Sequence, residues 1–277
     1  MSAPTSLPNN LTIPTLPEVV QRVTTLVENP ESGTREIGAV IAEDAPLAAK
    51  VLRIANSSYY GLREPCVSAE QAGTVLGARV LRNVITQAAV IRQFAHLAES
   101  GFEMEALWKH SILTAQACSQ LARRCRNIKG MSPDEFYSCG LLHDLGQVVM
   151  LDGMGERYAD VIRKARYEGT PEFIAERREF GFNHTAVGAL VAQRWGLPKP
   201  VAEAVQFHHG PREAVRDNVV VSLVANTNLL THRVLEGNIE GAVQVFDAPT
   251  AQFLGLSLEG ITEVVEGFAE QASLIEV

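Results

Sequence analysis

The stretch Gly140-Leu141-Leu142-His143-Asp144-Leu145-Gly146-Gln147 decides the fold prediction, because it sets a histidine beside an aspartate in an apolar run. Adjacent side chains on a helix point about 100° apart, so His143 and Asp144 cannot both lie on one buried face of a helix. A cation shared by an imidazole nitrogen and a carboxylate oxygen would satisfy both. An ordinary helix, with Asp144 in solvent and His143 hydrogen-bonded, explains the pair equally well.

The other histidines favour the cation. Five of the seven histidines form a spaced series, each in an apolar segment with helical periodicity: His110, His143, His184, His208 and His209. Taken alone, His110 is better explained as a core histidine bonded to a backbone carbonyl. A helical bundle that directs several histidines inward, however, is typical of a metal or phosphate site.

Composition indicates a soluble globular protein. The 277 residues are 46% hydrophobic and 20% charged, with a net charge of -8, which argues against nucleic-acid binding. Residues 1–10 do not resemble a signal peptide, and no run approaches the ~20 apolar residues of a membrane span. We therefore expect a cytoplasmic protein of bacterial type that binds neither nucleic acid nor membrane. Its four cysteines should be reduced thiols, and two of them, seven residues apart, should share a helix face: Cys66, Cys118, Cys125 and Cys139.

Helix signals recur along the whole chain. Ser132 begins a capping box with a glutamate three residues later, and we expect the helix that follows to carry His143-Asp144. Asp44 and Asn183 are further candidate N-caps. The β-branched run 219–226 could be a buried strand, but we prefer helix because the surrounding chain is helical. The prediction is an all-α protein.

Several segments, together with the histidine series, resemble the HDOD domain, a member of the HD superfamily related to the HD-GYP phosphodiesterases. The resemblance covers about residues 12–211. Its N-terminal half rests on Leu16-Pro17, Ile41-Ala42-Glu43-Asp44-Ala45-Pro46-Leu47, Val51-Leu52-Arg53-Ile54-Ala55-Asn56-Ser57 and Leu76-Gly77. Its second half rests on Gly188-Ala189, Trp195-Gly196-Leu197-Pro198 and His208-His209.

The resemblance implies an HD-like multi-helix bundle with an N-terminal helical subdomain. We expect a flexible arm over residues 1–13, the N-terminal subdomain over 14–100, the HD-like subdomain over 101–211, and completing helices over 212–277. It also implies a metal site of one or two divalent transition ions, Fe, Mn, Ni or Zn. The implied ligands are His110, His143, Asp144, His184, His208, His209 and Asn226.

Three departures from the catalytic relatives bear on chemistry. Gln147 stands where HD-GYP enzymes carry a lysine, so it offers a phosphate or other ligand only a weak dipole. The last acidic ligand of the superfamily falls at Asn226, whose amide brings no negative charge. Gly210-Pro211-Arg212 follows the histidine pair in place of a GYP-type loop.

Three functions remain open. The first is a regulatory, non-catalytic signal-transduction module that acts through unidentified signalling proteins or a small ligand. Its Asn56-Ser57-Ser58-Tyr59-Tyr60 turn would offer a polar, aromatic surface to a partner. A helix C-cap with structural tyrosines explains that turn equally well. The second is a metal-dependent phosphohydrolase acting on a cyclic dinucleotide or nucleotide. The third is a scaffold in which the histidines only pack. The sequence does not indicate the oligomeric state.

Overall fold

The structure is a computed structural model that describes residues 11–29, 31–56, 62–99, 103–210 and 218–272. Every regular element in these ranges is helical and none is a strand, which confirms the all-α prediction. None of the helices in these ranges is both long and apolar enough to cross a membrane. The chain forms two compact units, one over Pro14–Ala95 and a larger one over His96–Val277 that also takes in residues 11–13.

The smaller unit contains four helices: α1 Glu18–Glu28, α2 Thr34–Ala42, α3 Ala45–Ala55 and α4 Ala69–Gln93. Their apolar faces share one core that includes Val23, Ile37 and Ile41. Asp44 caps α3, since its Oδ1 accepts a hydrogen bond from the Leu47 backbone N–H at 3.0 Å. The polar signal at this position therefore sets where the helix begins, as predicted.

A glycine divides α4 into two parts. Gly77 has φ 78° and ψ 159°, a conformation that residues with a Cβ rarely adopt. The sequence predicts one helix ending at Leu76-Gly77 and another from about residue 80. The backbone is non-helical at Gly77, so the break between the two helical parts of α4 lies where it was predicted.

A 3₁₀ turn, Ala95–Glu99, includes the first residues of the larger unit, which continues with eleven helices in its described part. These are α5 Met104–Ala122, α6 Pro133–Leu142, α7 Leu145–Met154, α8 Glu156–Glu168, α9 Glu172–Phe180, α10 His184–Arg194, α11 Lys199–Phe207, α12 Val219–Leu235, α13 Ile239–Gln244, α14 Ala248–Leu254 and α15 Leu258–Ala272. Helices α5 and α6 pack closely along their lengths, and α12 packs against α5, α6 and α11.

Several sequence predictions for this unit can be compared with the structure. The β-branched run is helical, as preferred, and lies in the first half of α12. The sequence predicts two helices over residues 239–277, whereas the described part of this segment forms three. Helix α5 ends at Ala122, so Cys125 lies beyond it and the helix face predicted for Cys118 and Cys125 is wrong. All four cysteines are free, and Cys66, Cys118 and Cys139 are buried.

Some predictions fall on undescribed residues. Residues 1–10 of the predicted arm lie outside the described ranges, whereas Leu11 and Ile13 at its end are buried. Residues 57–60 of the tyrosine-containing turn, and Pro211 and Arg212, also lie outside these ranges. The subdomain boundaries predicted from sequence stay predictions. The described chain places 103–210 and 218–272 in one compact unit.

Candidate metal centre

Four structural elements of the larger unit bring the predicted ligands together. His110 lies in the first half of α5, and His143 and Asp144 lie between α6 and α7. His184 is the first residue of α10, whose cap Asn183 accepts a hydrogen bond from the Ala186 N–H. His208 follows the last residue of α11. Three of these four elements therefore contribute a residue at a helix end.

His143 and Asp144 do not share a helix, so the prediction that one helix carries both is wrong. Helix α6 ends at Leu142 and α7 begins at Leu145. Asp144 has φ -97° and ψ 15°, outside the helical region. The 100° rule for neighbouring helical side chains therefore does not apply, and both side chains face the same cluster. Asp144 occupies the N-cap position of α7 without capping it, which leaves its carboxylate to the histidines.

Asp144 lies at the centre of the cluster, with one oxygen on each side. Its Oδ2 is 3.1 Å from His143 Nε2 and 3.8 Å from His110 Nε2. Its Oδ1 is 3.3 Å from His208 Nε2 and 3.4 Å from His184 Nε2. One carboxylate thus serves two sets of imidazoles.

These sets form two potential metal-ligand groups that share Asp144. The His110 group consists of His110, His143 and Asp144. The His184 group consists of Asp144, His184, His208 and His209. Within each group the candidate ligand atoms lie within 4.8 Å of one another. Six of the seven predicted ligands are therefore brought together by the fold.

Hydrogen bonds outside the cluster fix three imidazoles. The Nδ1–H of His143 donates to the Gly140 carbonyl at 2.6 Å, and the Nδ1–H of His208 donates to the Ala204 carbonyl at 3.0 Å. The Nδ1–H of His184 donates to Glu176 Oε2 at 2.8 Å. Since a carbonyl or carboxylate oxygen only accepts, Nδ1 carries a proton in each ring. When the ring is neutral, its Nε2 therefore presents a lone pair to the cluster.

Lone pairs facing one another require a positive charge between them. The Nε2 atoms of His110 and His143 are 3.4 Å apart, and those of His184 and His208 are 3.3 Å apart. Asp144 Oδ1 is buried and makes no hydrogen bond with any described residue. A buried, unsatisfied acceptor is costly unless a proton or a cation binds to it. The donor set fits divalent transition ions, which imidazole and carboxylate ligands bind together.

Electrostatics agree with this fit. Burial alone would raise the pKa of Asp144, but His143, His208 and His184 lower it well below its usual value, so it is a carboxylate. Burial lowers the pKa of His208 to about 4 and, with neighbouring histidines, lowers the pKa values of His110 and His209 well below their usual value. An ionised carboxylate and neutral imidazoles are the forms in which these residues coordinate metals.

Glu176 is a buried carboxylate at the site that sequence reasoning missed. It accepts hydrogen bonds from the His184 Nδ1–H and backbone N–H, each at 2.8 Å, and from the Tyr158 hydroxyl at 2.8 Å. Burial lowers the pKa of His184, but the carboxylates of Glu176 and Asp144 outweigh burial and raise it to about 9. The only signal in the sequence was a glutamate eight residues before a histidine, in a helix that otherwise reads as exposed.

Asn226 and Gln147, which were predicted to bind a metal or another ligand, belong to neither ligand group. Asn226 is half-buried, and its Nδ2 donates to the Ser222 carbonyl one turn earlier at 2.7 Å. The amide of α12 beside His110 is instead Asn228, whose presence favours protonated His110. Gln147, in the first turn of α7, is buried, and its Oε1 makes no hydrogen bond with the described residues. Ligand roles for Asn226 and Gln147 stay predictions.

His232 is a further histidine that sequence reasoning left aside. Its ring stacks on that of His110, with the centroids 4.3 Å apart. It lies one helical turn after Asn228 on α12, so the two residues approach the His110 group from the same side. In the sequence, the only indication was the four-residue spacing of Asn228 and His232, which places them on one face of a helix.

Comparison with known proteins places this geometry in a family. A crystal structure of an HDOD domain protein of unknown function from Geobacter sulfurreducens aligns with a TM-score of 0.76 and 25% identity, covering 95% of this chain and 90% of that one. A candidate phosphohydrolase from Shewanella amazonensis SB2B aligns with a TM-score of 0.73 and 23% identity, covering 94% of each chain. A candidate signal transduction protein from Marinobacter aquaeolei VT8 aligns with a TM-score of 0.73 and 24% identity over 94% of this chain and 58% of that one.

Sequence comparison agrees. An uncharacterized protein of Treponema pallidum (strain Nichols) is 29% identical over 226 residues, and the match spans 81% of this chain but only 43% of that relative. The family model of the HDOD domain matches residues 13–211, which is most of the chain. On this match, the chain belongs to the HDOD domain family.

Proposed function

We propose that this chain is a regulatory HDOD module that binds divalent transition metal ions and acts through signalling proteins rather than by turnover. The burial of five of the six clustered ligands supports this proposal, while the sixth, His209, is half-buried. The side chains of His143 and His208 are fully buried, and those of His184, Asp144 and His110 are 1%, 4% and 7% exposed. Side chains this buried leave a phosphodiester little access to an ion held among them.

Bound ions would have a conformational role. The six ligands come from α5, the α6–α7 junction, α10 and the end of α11. Bound ions would link these elements, because each ion supplies positive charge and a fixed coordination geometry. Because the ions bind only when the ligands are in this arrangement, their binding free energy stabilises one conformation of the larger unit. A partner that recognises this conformation would then respond to metal.

Hydrolysis of a cyclic dinucleotide or nucleotide is the alternative. It is favoured by Asp144, whose two oxygens face different ligand groups and so suit a pair of ions. Gln147 weighs against it, because an amide supplies little charge stabilisation to a phosphoryl transition state.

Two measurements on the untagged protein separate these functions. Protein loaded with Fe, Mn, Ni or Mg is incubated with a panel of cyclic dinucleotides and nucleotide phosphodiesters, beside Asp144→Ala. We expect no turnover above that of the variant. Hydrogen exchange is then measured with and without Mn²⁺, and we expect added ion to slow exchange in α10 and α11 of the wild type but not of the variant. Turnover that Asp144→Ala abolishes would establish the hydrolase instead.

A further inference from the structure

The two ligand groups are not equivalent. The His184 group offers four protein ligands, whereas the His110 group offers three, and Asp144 belongs to both. An ion in the His110 group therefore depends more on the shared carboxylate. Fewer protein ligands leave more of its coordination to water or to exchangeable molecules.

Among the described residues, a second buried carboxylate lies behind the His184 group and none lies behind the His110 group. Glu176 is fully buried and accepts three hydrogen bonds, two from His184 and one from Tyr158. A carboxylate bonded to the distal nitrogen of a ligating imidazole orients the ring and makes it a stronger donor. In the His110 group, the His143 Nδ1–H donates to the neutral Gly140 carbonyl, and His110 has the neutral Asn228 amide beside it rather than a carboxylate.

The side of the His110 group formed by α12 is neutral. Asn228 lies beside His110, and its buried Oδ1 makes no hydrogen bond within the described ranges. His232 stacks on His110, and as a residue it is exposed to solvent. The His110 group is thus poorer in negative charge than the His184 group.

Charge balance makes the difference large. Asp144 and Glu176 together carry two negative charges in the buried region, which one divalent ion neutralises. A second ion would add two positive charges that no buried carboxylate described at the site offsets, and uncompensated buried charge is unfavourable.

We propose that the two positions bind metal with unequal affinity: the His184 group, with Glu176 as its positioning residue, retains one ion, and the His110 group binds a second, exchangeable ion. Occupancy of the His110 group would then follow the free concentration of divalent metal. This inference rests on the metal-binding function proposed above and assigns its responsive part to one half of the site.

The test is a titration of metal-free, untagged protein with Co²⁺, followed by calorimetry and by the visible absorption of the bound ion. The wild type should bind two ions in two steps, with the second at least tenfold weaker. Glu176→Gln keeps an oxygen that can accept a hydrogen bond from the His184 N–H but removes the negative charge. It should weaken the first binding step about tenfold, which is in the range known for such supporting carboxylates. It should also alter the absorption spectrum of the first bound ion. Glu179→Gln, on the same helix and paired with exposed Arg157, is the matched control and should change neither step.

A second pair of variants tests the weak position. Asn228→Asp adds a negative charge beside His110 and should tighten the second step at least fivefold without changing the first. Asn226→Asp adds the same charge two residues earlier, and tightening by this variant instead would overturn the role given to Asn228. Two equal steps, or a Glu176→Gln variant that weakens only the second, would overturn the inequality while leaving metal binding intact. A wild type that binds no Co²⁺ would overturn the proposed function as well.

Discussion

Gly146 lies directly against the backbone of His184. A Cβ placed on Gly146 would be 1.9 Å from the His184 carbonyl oxygen, far inside van der Waals contact. Helices α7 and α10 therefore meet backbone to backbone near their N-terminal ends. Because Asp144 precedes α7 and His184 begins α10, this close approach sets the distance between the central carboxylate and one of its histidines.

Gly146→Ala should therefore damage both the fold and the site. The new methyl group meets backbone atoms, which cannot turn aside as a side chain can, so we expect a loss of about 3 kcal/mol in the free energy of unfolding. Denaturant unfolding followed by circular dichroism measures this. The matched control is Gly267→Ala in α15, where nothing lies within 4 Å of the added Cβ. That variant should gain about 0.5–1 kcal/mol, because alanine favours a helix over glycine. Equal effects of the two substitutions would contradict the close contact.

Tyr158→Phe tests the buried carboxylate that holds His184. The pKa of Tyr158 is raised well above its usual value by burial and by Glu176, so its hydroxyl stays protonated and donates to Glu176. Losing this donor to a buried carboxylate should cost about 2 kcal/mol. Thermal unfolding near neutral pH measures the loss, and Tyr167→Phe, at a position 93% exposed, should stay within about 0.5 kcal/mol of the wild type. A Tyr158→Phe variant as stable as the control would show that the hydroxyl does not support Glu176.

The cysteines should be unreactive in the folded protein. Burial raises the pKa of Cys118 to about 12 and that of Cys125 to about 12, and it raises the pKa of Cys139 well above its usual value. Since the thiolate is the reactive form, a raised pKa leaves almost none of it at pH 8, and reactivity should increase only as the pH approaches 12. With Ellman's reagent at pH 8 we expect slow labelling of the native chain and rapid labelling of four thiols in guanidinium chloride. Rapid labelling of Cys125 in native protein would contradict this account.

Much of the helical architecture could be read from local signals. Asp44 and Asn183 cap the helices predicted for them, and the Ser132 capping box begins α6. Each signal acts through hydrogen bonds within a few residues, so neighbouring sequence is enough to identify it. The end of α6 was not predicted, because Leu141, Leu142 and Leu145 continue an apolar pattern through the break at His143-Asp144.

The residues that cluster around Asp144 were predictable, but the residues that support them were not. His110, His143, Asp144, His184, His208 and His209 are uncommon residues in apolar segments, which makes them conspicuous. Glu176 and Asn228 are common types in helices, and only tertiary packing turns them toward the histidines. Asn226 and Asn228 are two residues apart on α12, so their side chains point about 200° apart around the helix. The ligand role of Asn226 stays a prediction.

Elemental analysis of untagged protein, purified without chelator and then exposed to Zn²⁺ or Mn²⁺ and desalted, tests the central claim most directly. Asp144→Asn is analysed in parallel, with Asp152→Asn as a control, because Asp152 pairs with His96 and belongs to neither ligand group. The shared position of Asp144 predicts at least one tightly held ion per wild-type chain, the same content in Asp152→Asn, and loss of metal from both groups in Asp144→Asn. A wild-type chain that retains no ion, or an Asp144→Asn chain that retains as much as the wild type, would contradict a metal centre built on this carboxylate.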